Sequence, residues 1–269
     1  MGLTSTSSGI KLLNEKFNIE NRDFPIIALA GNPNTGKSTV FNGLTGLKQH
    51  TGNWPGKTVT QAQGFFEYNK QKFKLIDLPG TYSLLSNSTE EKIASDFICF
   101  AKPDATIVVV DATNLERNLN LVLQVMELTQ NTILCLNLMD EAKRKNIKIN
   151  IEGLKNDLKI PVIPTVARDK KGLKDLSKTV YDLVNGNINV FPYQMQYSKD
   201  IEKEIKKIVN QLKLLFNNEK NDLNLKWLAL RIIEGDKNII EDINNIFINQ
   251  ENERGLSEGV YKVDEVKSI

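Results

Sequence analysis

Lys37 and Ser38 close the run Gly31-Asn32-Pro33-Asn34-Thr35-Gly36-Lys37-Ser38, which fits the pattern G-x-x-x-x-G-K-[ST]. The run follows an apolar segment at 26–30 and precedes a segment of helical period at 38–47. Glycines let the backbone wrap a chain of phosphates. Their N–H groups converge where a helix begins and its dipole favours negative charge. Lys37 is placed to bridge the β- and γ-phosphate oxygens of a nucleotide, and the Ser38 hydroxyl to ligate Mg²⁺. Lys37 is expected to face solvent. The plain structural alternative is a glycine turn entering a helix, but strand, loop and helix stand here in the order the phosphate site needs.

The loop does not choose between adenine and guanine. That choice falls to Asn137-Leu138-Met139-Asp140, at the end of the apolar segment 132–137. A carboxylate at Asp140 accepts from guanine N1–H and from the 2-amino group, a pair of donors that adenine lacks. Asn137 is expected to tie this loop back to the phosphate loop. Taken by itself, N-x-x-D also reads as a helix cap at Asp140. The base-side loop is expected at Val166-Ala167-Arg168, with the Ala167 N–H on guanine O6. Asp77-Leu78-Pro79-Gly80 ends another apolar segment. Asp77 is expected to hold Mg²⁺ through a water and the Gly80 N–H to reach the γ-phosphate. Between these lies Gly56-Lys57-Thr58-Val59-Thr60. A Thr58 hydroxyl, with Thr60 as the neighbouring candidate, binds Mg²⁺ only while a γ-phosphate holds the loop, which makes the segment a nucleotide-state switch.

The elements that must position these residues are legible. Short runs rich in Ile and Val occur at 26–30, 72–78, 105–111, 132–137 and 162–166, most of them followed by helical period. Buried strands alternating with amphipathic helices predict an α/β fold with a mostly parallel sheet covered on both faces. Residues 63–68 read as an edge strand, joined by the turn 69–71 to 72–78, so the sheet is expected to carry one antiparallel edge. The domain reading is an N-terminal extension at 1–23, a nucleotide-binding domain at 24–187, a linker and small all-helical domain at 188–250, and a polar tail at 251–269. Lys and Arg number 35 against 33 Asp and Glu, so no net basic field calls for a nucleic-acid partner. Cys99 and Cys135 cannot build a disulfide framework, and both are expected in the core. The longest apolar runs fall far short of the roughly 20 residues a membrane span needs.

Several of these segments carry a resemblance. Gly31-Asn32-Pro33-Asn34, Thr51-Gly52-Asn53-Trp54-Pro55-Gly56-Lys57-Thr58-Val59 and Asp77-Leu78-Pro79-Gly80-Thr81-Tyr82-Ser83-Leu84 resemble the ferrous-iron transport protein B (FeoB) family. So do Asp111-Ala112-Thr113-Asn114-Leu115-Glu116-Arg117-Asn118-Leu119 and Trp227-Leu228-Ala229-Leu230-Arg231-Ile232-Ile233-Glu234-Gly235-Asp236. The resemblance covers roughly residues 24–250. It implies a Ras-like P-loop GTPase domain, followed by a helical domain. It implies Mg²⁺-dependent, slow hydrolysis of GTP in the regulatory part of a ferrous-iron transporter. It also implies a K⁺ held by Asn34 at the place of an arginine finger. In that family these parts precede a transmembrane permease in the same polypeptide. The chain is therefore expected to be the portion at the cytoplasmic face of a bacterial inner membrane, with the permease as partner. A homo-oligomer stays open.

Three positions depart from the wider GTPase pattern. Leu138 replaces a common lysine, and Val166 stands where serine or threonine supports the base loop. Each weakens the expected grip on guanine and leaves room for looser base selection. Thr81 stands where many such enzymes carry a glutamine that positions water, so slow hydrolysis is expected. Trp54 reads either as a shaper of the first switch or as an ordinary aromatic, and His50 as a solvated loop residue. Two other readings remain open: a GTPase of ribosome or RNA maturation, which would carry a basic appendage, and a promiscuous NTPase.

Overall fold

The computed structural model describes residues 23–47, 49–55, 57–85, 88–215, 224–241 and 243. The expected extension up to residue 22, Gly56 of the first switch and the tail from 251 lie outside the described residues.

The sheet orders its seven described strands β2-β3-β4-β1-β5-β6-β7. They are β1 (Ile26–Gly31), β2 (Gln49–Asn53), β3 (Thr60–Tyr68), β4 (Gln71–Asp77), β5 (Ala105–Asp111), β6 (Thr132–Asn137) and β7 (Val162–Pro164). The central strands β4, β1, β5, β6 and β7 pair in parallel. All six residues of β1 and of β6 are buried, as a strand covered on both faces requires. β3 runs antiparallel to β4 across a tight turn, with Asn69 and Lys70 both at positive φ.

The fold class is the expected one, but β3 is not the outer strand. Gln49–Asn53 pairs antiparallel outside it, from His50 opposite Gln63 to Asn53 opposite Thr60. Gln-His-Thr-Gly-Asn has no apolar alternation, and this strand is held by main-chain pairing at the sheet edge. His50 is therefore exposed on a strand rather than in a loop.

One face of the sheet packs Ile27, Leu29, Ile107 and Val109 against Val40 and Phe41 of α1 (Lys37–Thr45) and Leu176 and Val180 of α6 (Leu173–Val184). α3 (Leu115–Leu128) lies against β5 and β6 through Leu121, Val122 and Val125. α2 (Thr89–Asp96) runs into a π-helical segment, Phe97–Ala101, all of it buried. α4 (Met139–Arg144) and α5 (Ile151–Leu158) complete this unit.

The chain divides into two compact units, and the first runs from Asn21 to Gln194. The sequence reading ended the first domain at 187. Ile188 and Val190 carry the unit further because they pack on its core, and the Tyr193 N–H donates to the Leu158 carbonyl at 3.0 Å. In the second unit, α7 (Lys199–Leu215) and α8 (Leu225–Glu234) pack on one another. Asn224 caps α8 by accepting from the Trp227 N–H at 3.0 Å, and Gly235 ends it in the left-handed conformation. Trp227, Leu228 and Ile232 are buried there. No helix among the described residues is long and apolar enough to cross a membrane.

Candidate functional site

The sequence-predicted residues of 31–38, 77–80, 137–140 and 166–168 gather where a parallel sheet collects its loops, at the C-terminal ends of β1, β4, β6 and β7. The phosphate loop leaves β1 under tight packing. A Cβ on Gly31 would stand 2.6 Å from the Val109 carbonyl oxygen. Gly36 has φ +80°, and a Cβ there would meet the Asn137 amide nitrogen at 2.4 Å. Only glycine gives both that conformation and that space. The Thr35 hydroxyl donates to the Asn32 carbonyl at 2.9 Å and closes the turn. Asn34 is exposed, with φ 67°. Lys37 opens α1, and Ser38 beside it is exposed.

Lys37 does not face solvent. Its side chain is 11% exposed, and Nζ lies 2.5 Å from Asp77 Oδ1 and 2.7 Å from the Leu78 carbonyl oxygen. An ammonium inside a loop of N–H groups lies along the nearest oxygens, and Asp77 at the end of β4 supplies one. Burial pushes the Asp77 carboxyl above the ordinary carboxylate range, while Lys37 pulls it back. Gly80 comes close to the loop: a Cβ there would lie 3.6 Å from Pro33. The Thr81 N–H donates to the Gly31 carbonyl at 3.2 Å.

Asn137 is the joint of the base side. Its Nδ2 donates to the Thr35 carbonyl at 3.0 Å, linking β6 to the phosphate loop as the sequence reading expected. Its Oδ1 accepts from the Ala167 N–H at 3.1 Å and from the Thr165 hydroxyl at 3.1 Å. Thr165 was not singled out in the sequence. Its buried hydroxyl brings side-chain support to the loop from the residue before Val166, where the sequence reading saw a bond missing. Leu138 precedes α4 at φ 62°, an uncommon conformation for leucine, with its side chain near Gly36. Asp140 is in the first turn of α4, and Leu138 holds the cap position. Asp140 Oδ2 pairs with Arg168, while its Oδ1 is buried without a partner. A carboxylate oxygen in that state is an acceptor still to be used.

The segment expected to be the first switch is anchored at Trp54. Its side chain is 1% exposed and meets Phe97 edge-on at 5.5 Å. The Trp54 N–H donates to the Val59 carbonyl and the Lys57 N–H to the Trp54 carbonyl, both at 2.9 Å. Thr58, Thr60 and Lys57 are exposed, and Val59 is half-buried. The structure does not bring Thr58 into the hydrogen-bonded network of Lys37 and Asp77. The segment 79–85, a candidate second switch, is held from α3 and, through Glu91, from α2. Gln124 Oε1 accepts from the Leu84 N–H at 2.7 Å, and Arg117 lies 4.5 Å over the Tyr82 ring. The Ser83 hydroxyl donates to Glu91 at 2.9 Å. Nothing in the sequence marked Gln124 or Glu91. Thr81 turns its hydroxyl to the Ser83 carbonyl at 2.6 Å. Cys135, buried beside Thr165, has its thiol pushed up to about 12, so it stays protonated core.

Residues 25–180 match the family "Ferrous iron transport protein B", and residues 197–265 match "FeoB cytosolic helical domain". The second match extends past the residue 250 at which the sequence reading ended the helical part. A Methanocaldococcus jannaschii protein, "Fe(2+) transporter FeoB", is 45% identical over 219 residues, which is 81% of this chain. The chain covers 32% of that relative's length. The crystal structure of the cytosolic domain of the T. maritima FeoB iron transporter in a GDP form is 34% identical. It covers 93% of this chain and 92% of its own, with a TM-score of 0.73. The Methanococcus jannaschii FeoB G domain is 48% identical over 60% of this chain and 97% of its own, with a TM-score of 0.54. On these grounds the chain belongs to the ferrous iron transport protein B family.

Proposed function

We propose that the first unit binds guanine nucleotides and slowly hydrolyses GTP to GDP and phosphate, as the regulatory part of a ferrous-iron transporter. The observation that carries this reading is Asn137, which ties the phosphate loop at Thr35 to the base loop at Ala167. Asp140 Oδ1, buried and unpaired, suits the two donors on guanine. Lys37 exchanges Asp77 for phosphate oxygens, and the loop N–H groups hold the rest of the chain of phosphates. Water attacks the γ-phosphorus, the bond to the bridging oxygen breaks with GDP leaving, and the water's proton ends on the phosphate product. Thr81 spends its hydroxyl on the Ser83 carbonyl rather than on an attacking water, so slow turnover is expected.

Ser38, Asp77 and Thr58 offer the oxygen donors that Mg²⁺ prefers, and the metal would neutralise charge on the phosphates. Asn34, exposed on the loop in a left-handed conformation, offers a neutral amide oxygen suited to K⁺. A K⁺ held there would supply the positive charge that an arginine finger supplies in other GTPases. The partner proposed is a transmembrane permease of the same polypeptide, with this part at the cytoplasmic face of the inner membrane.

Turnover of GTP and ATP in KCl and in NaCl tests the reading. GTP hydrolysis should run about tenfold faster in KCl, equivalent to about 1.4 kcal/mol. Asn34→Ala should remove that difference while GTP still binds. Equal rates in both salts overturn the K⁺ role, and equal turnover of ATP and GTP overturns the base assignment.

A further inference from the structure

Asn32, the second residue of the phosphate loop, is 1% exposed. Its carbonyl accepts from the Thr35 hydroxyl. Its side-chain Nδ2 and Oδ1 are both buried without a hydrogen-bond partner. A primary amide carries two donors and an accepting oxygen, and leaving all of them unpaired away from water is unfavourable. Buried amides in folded chains are ordinarily paired, and exceptions gather where a chain is shaped for a ligand. Asn137, the loop's neighbour, has the same chemistry with donor and acceptor both used.

The surroundings of Asn32 indicate what its amide serves. Gly31 before it accepts from the Thr81 N–H. Pro33 after it is the closest neighbour of the Cβ position on Gly80. Asn32 therefore belongs to the seam between the phosphate loop and the second switch. The Thr81 hydroxyl is committed to the Ser83 carbonyl.

We propose that Asn32 is a positioning residue for the GTP-loaded state. When the Gly80 N–H turns to a γ-phosphate, the peptide groups of 79–81 rotate and the Pro79 and Gly80 carbonyls accept from the Asn32 Nδ2. The gained bonds favour GTP over GDP, and without nucleotide the unpaired amide weakens the fold. The proposal rests on the guanine-nucleotide reading above.

The test compares the whole chain with Asn32→Ala and Asn32→Leu, the leucine variant deciding where alanine leaves a cavity. Melting without nucleotide should rise by about 2–4 °C. Affinity for a non-hydrolysable GTP analogue should fall about tenfold and for GDP by less than about threefold. A lower melting temperature for the leucine variant means the amide is already used in the folded chain and overturns the proposal. Higher melting with an unchanged ratio of analogue to GDP affinity overturns it too, since a merely structural amide gives that result. If the wild type takes neither nucleotide, the guanine reading has failed first and this proposal falls with it.

Discussion

The base side and the switch side of the site are built differently. On the base side, Asn137, Thr165 and the Ala167 main chain are buried and bonded to one another and to Thr35. On the switch side, Thr58 and Thr60 are exposed, and Lys37 and Asp77 neutralise each other. Groups already fixed lose little freedom when a ligand arrives, so a base pocket built this way selects without reorganising. Groups that must leave one partner for another report whether the ligand is there. Under the proposed function, one fold would carry a fixed base reader and a phosphate sensor that changes partners.

Breaking the sensor should have the largest effect. Lys37→Ala removes the charge that meets the phosphates, and nucleotide affinity should fall at least about 1000-fold, about 4 kcal/mol. Equilibrium titration of the variant, folded by circular dichroism, checks it; unchanged affinity would remove the phosphate site from this loop. Breaking the reader should cost stability without any nucleotide. Asn137→Ala strands the Ala167 N–H and the Thr35 carbonyl, and should lower stability by about 3 kcal/mol and melting by roughly 6–12 °C. Thr58→Ala sharpens the contrast with the smallest change. Its hydroxyl is exposed and has no hydrogen-bond partner among the described residues, so denaturant unfolding without nucleotide should shift by less than about 0.5 kcal/mol while GTP turnover falls. A loss as large as that of Asn137→Ala would show the two sides to be equally fixed.

What the sequence made legible follows the same division. The strands at 26–30 and 132–137 are continuous apolar runs, and the loops after them take their places from the sheet. Gln49–Asn53 was invisible because an edge strand held by main-chain pairing needs no apolar pattern. Ile188 and Val190 read as linker because the core they pack on is assembled from distant segments. Thr165 and Gln124 act through bonds to residues far along the chain, a relation no local pattern records. Lys37 was expected in solvent because its motif names the phosphate it serves and not the carboxylate beside which it lies.

Asp140 tests the central claim most directly. Binding of GTP, ATP and XTP should be measured for the wild type and for Asp140→Asn. The wild type should prefer GTP, and the variant should lose about 2–4 kcal/mol of GTP affinity through the missing charge-assisted pair. The variant should gain XTP, because its amide donates to the xanthine oxygen. The same order of preference in both proteins would contradict the account.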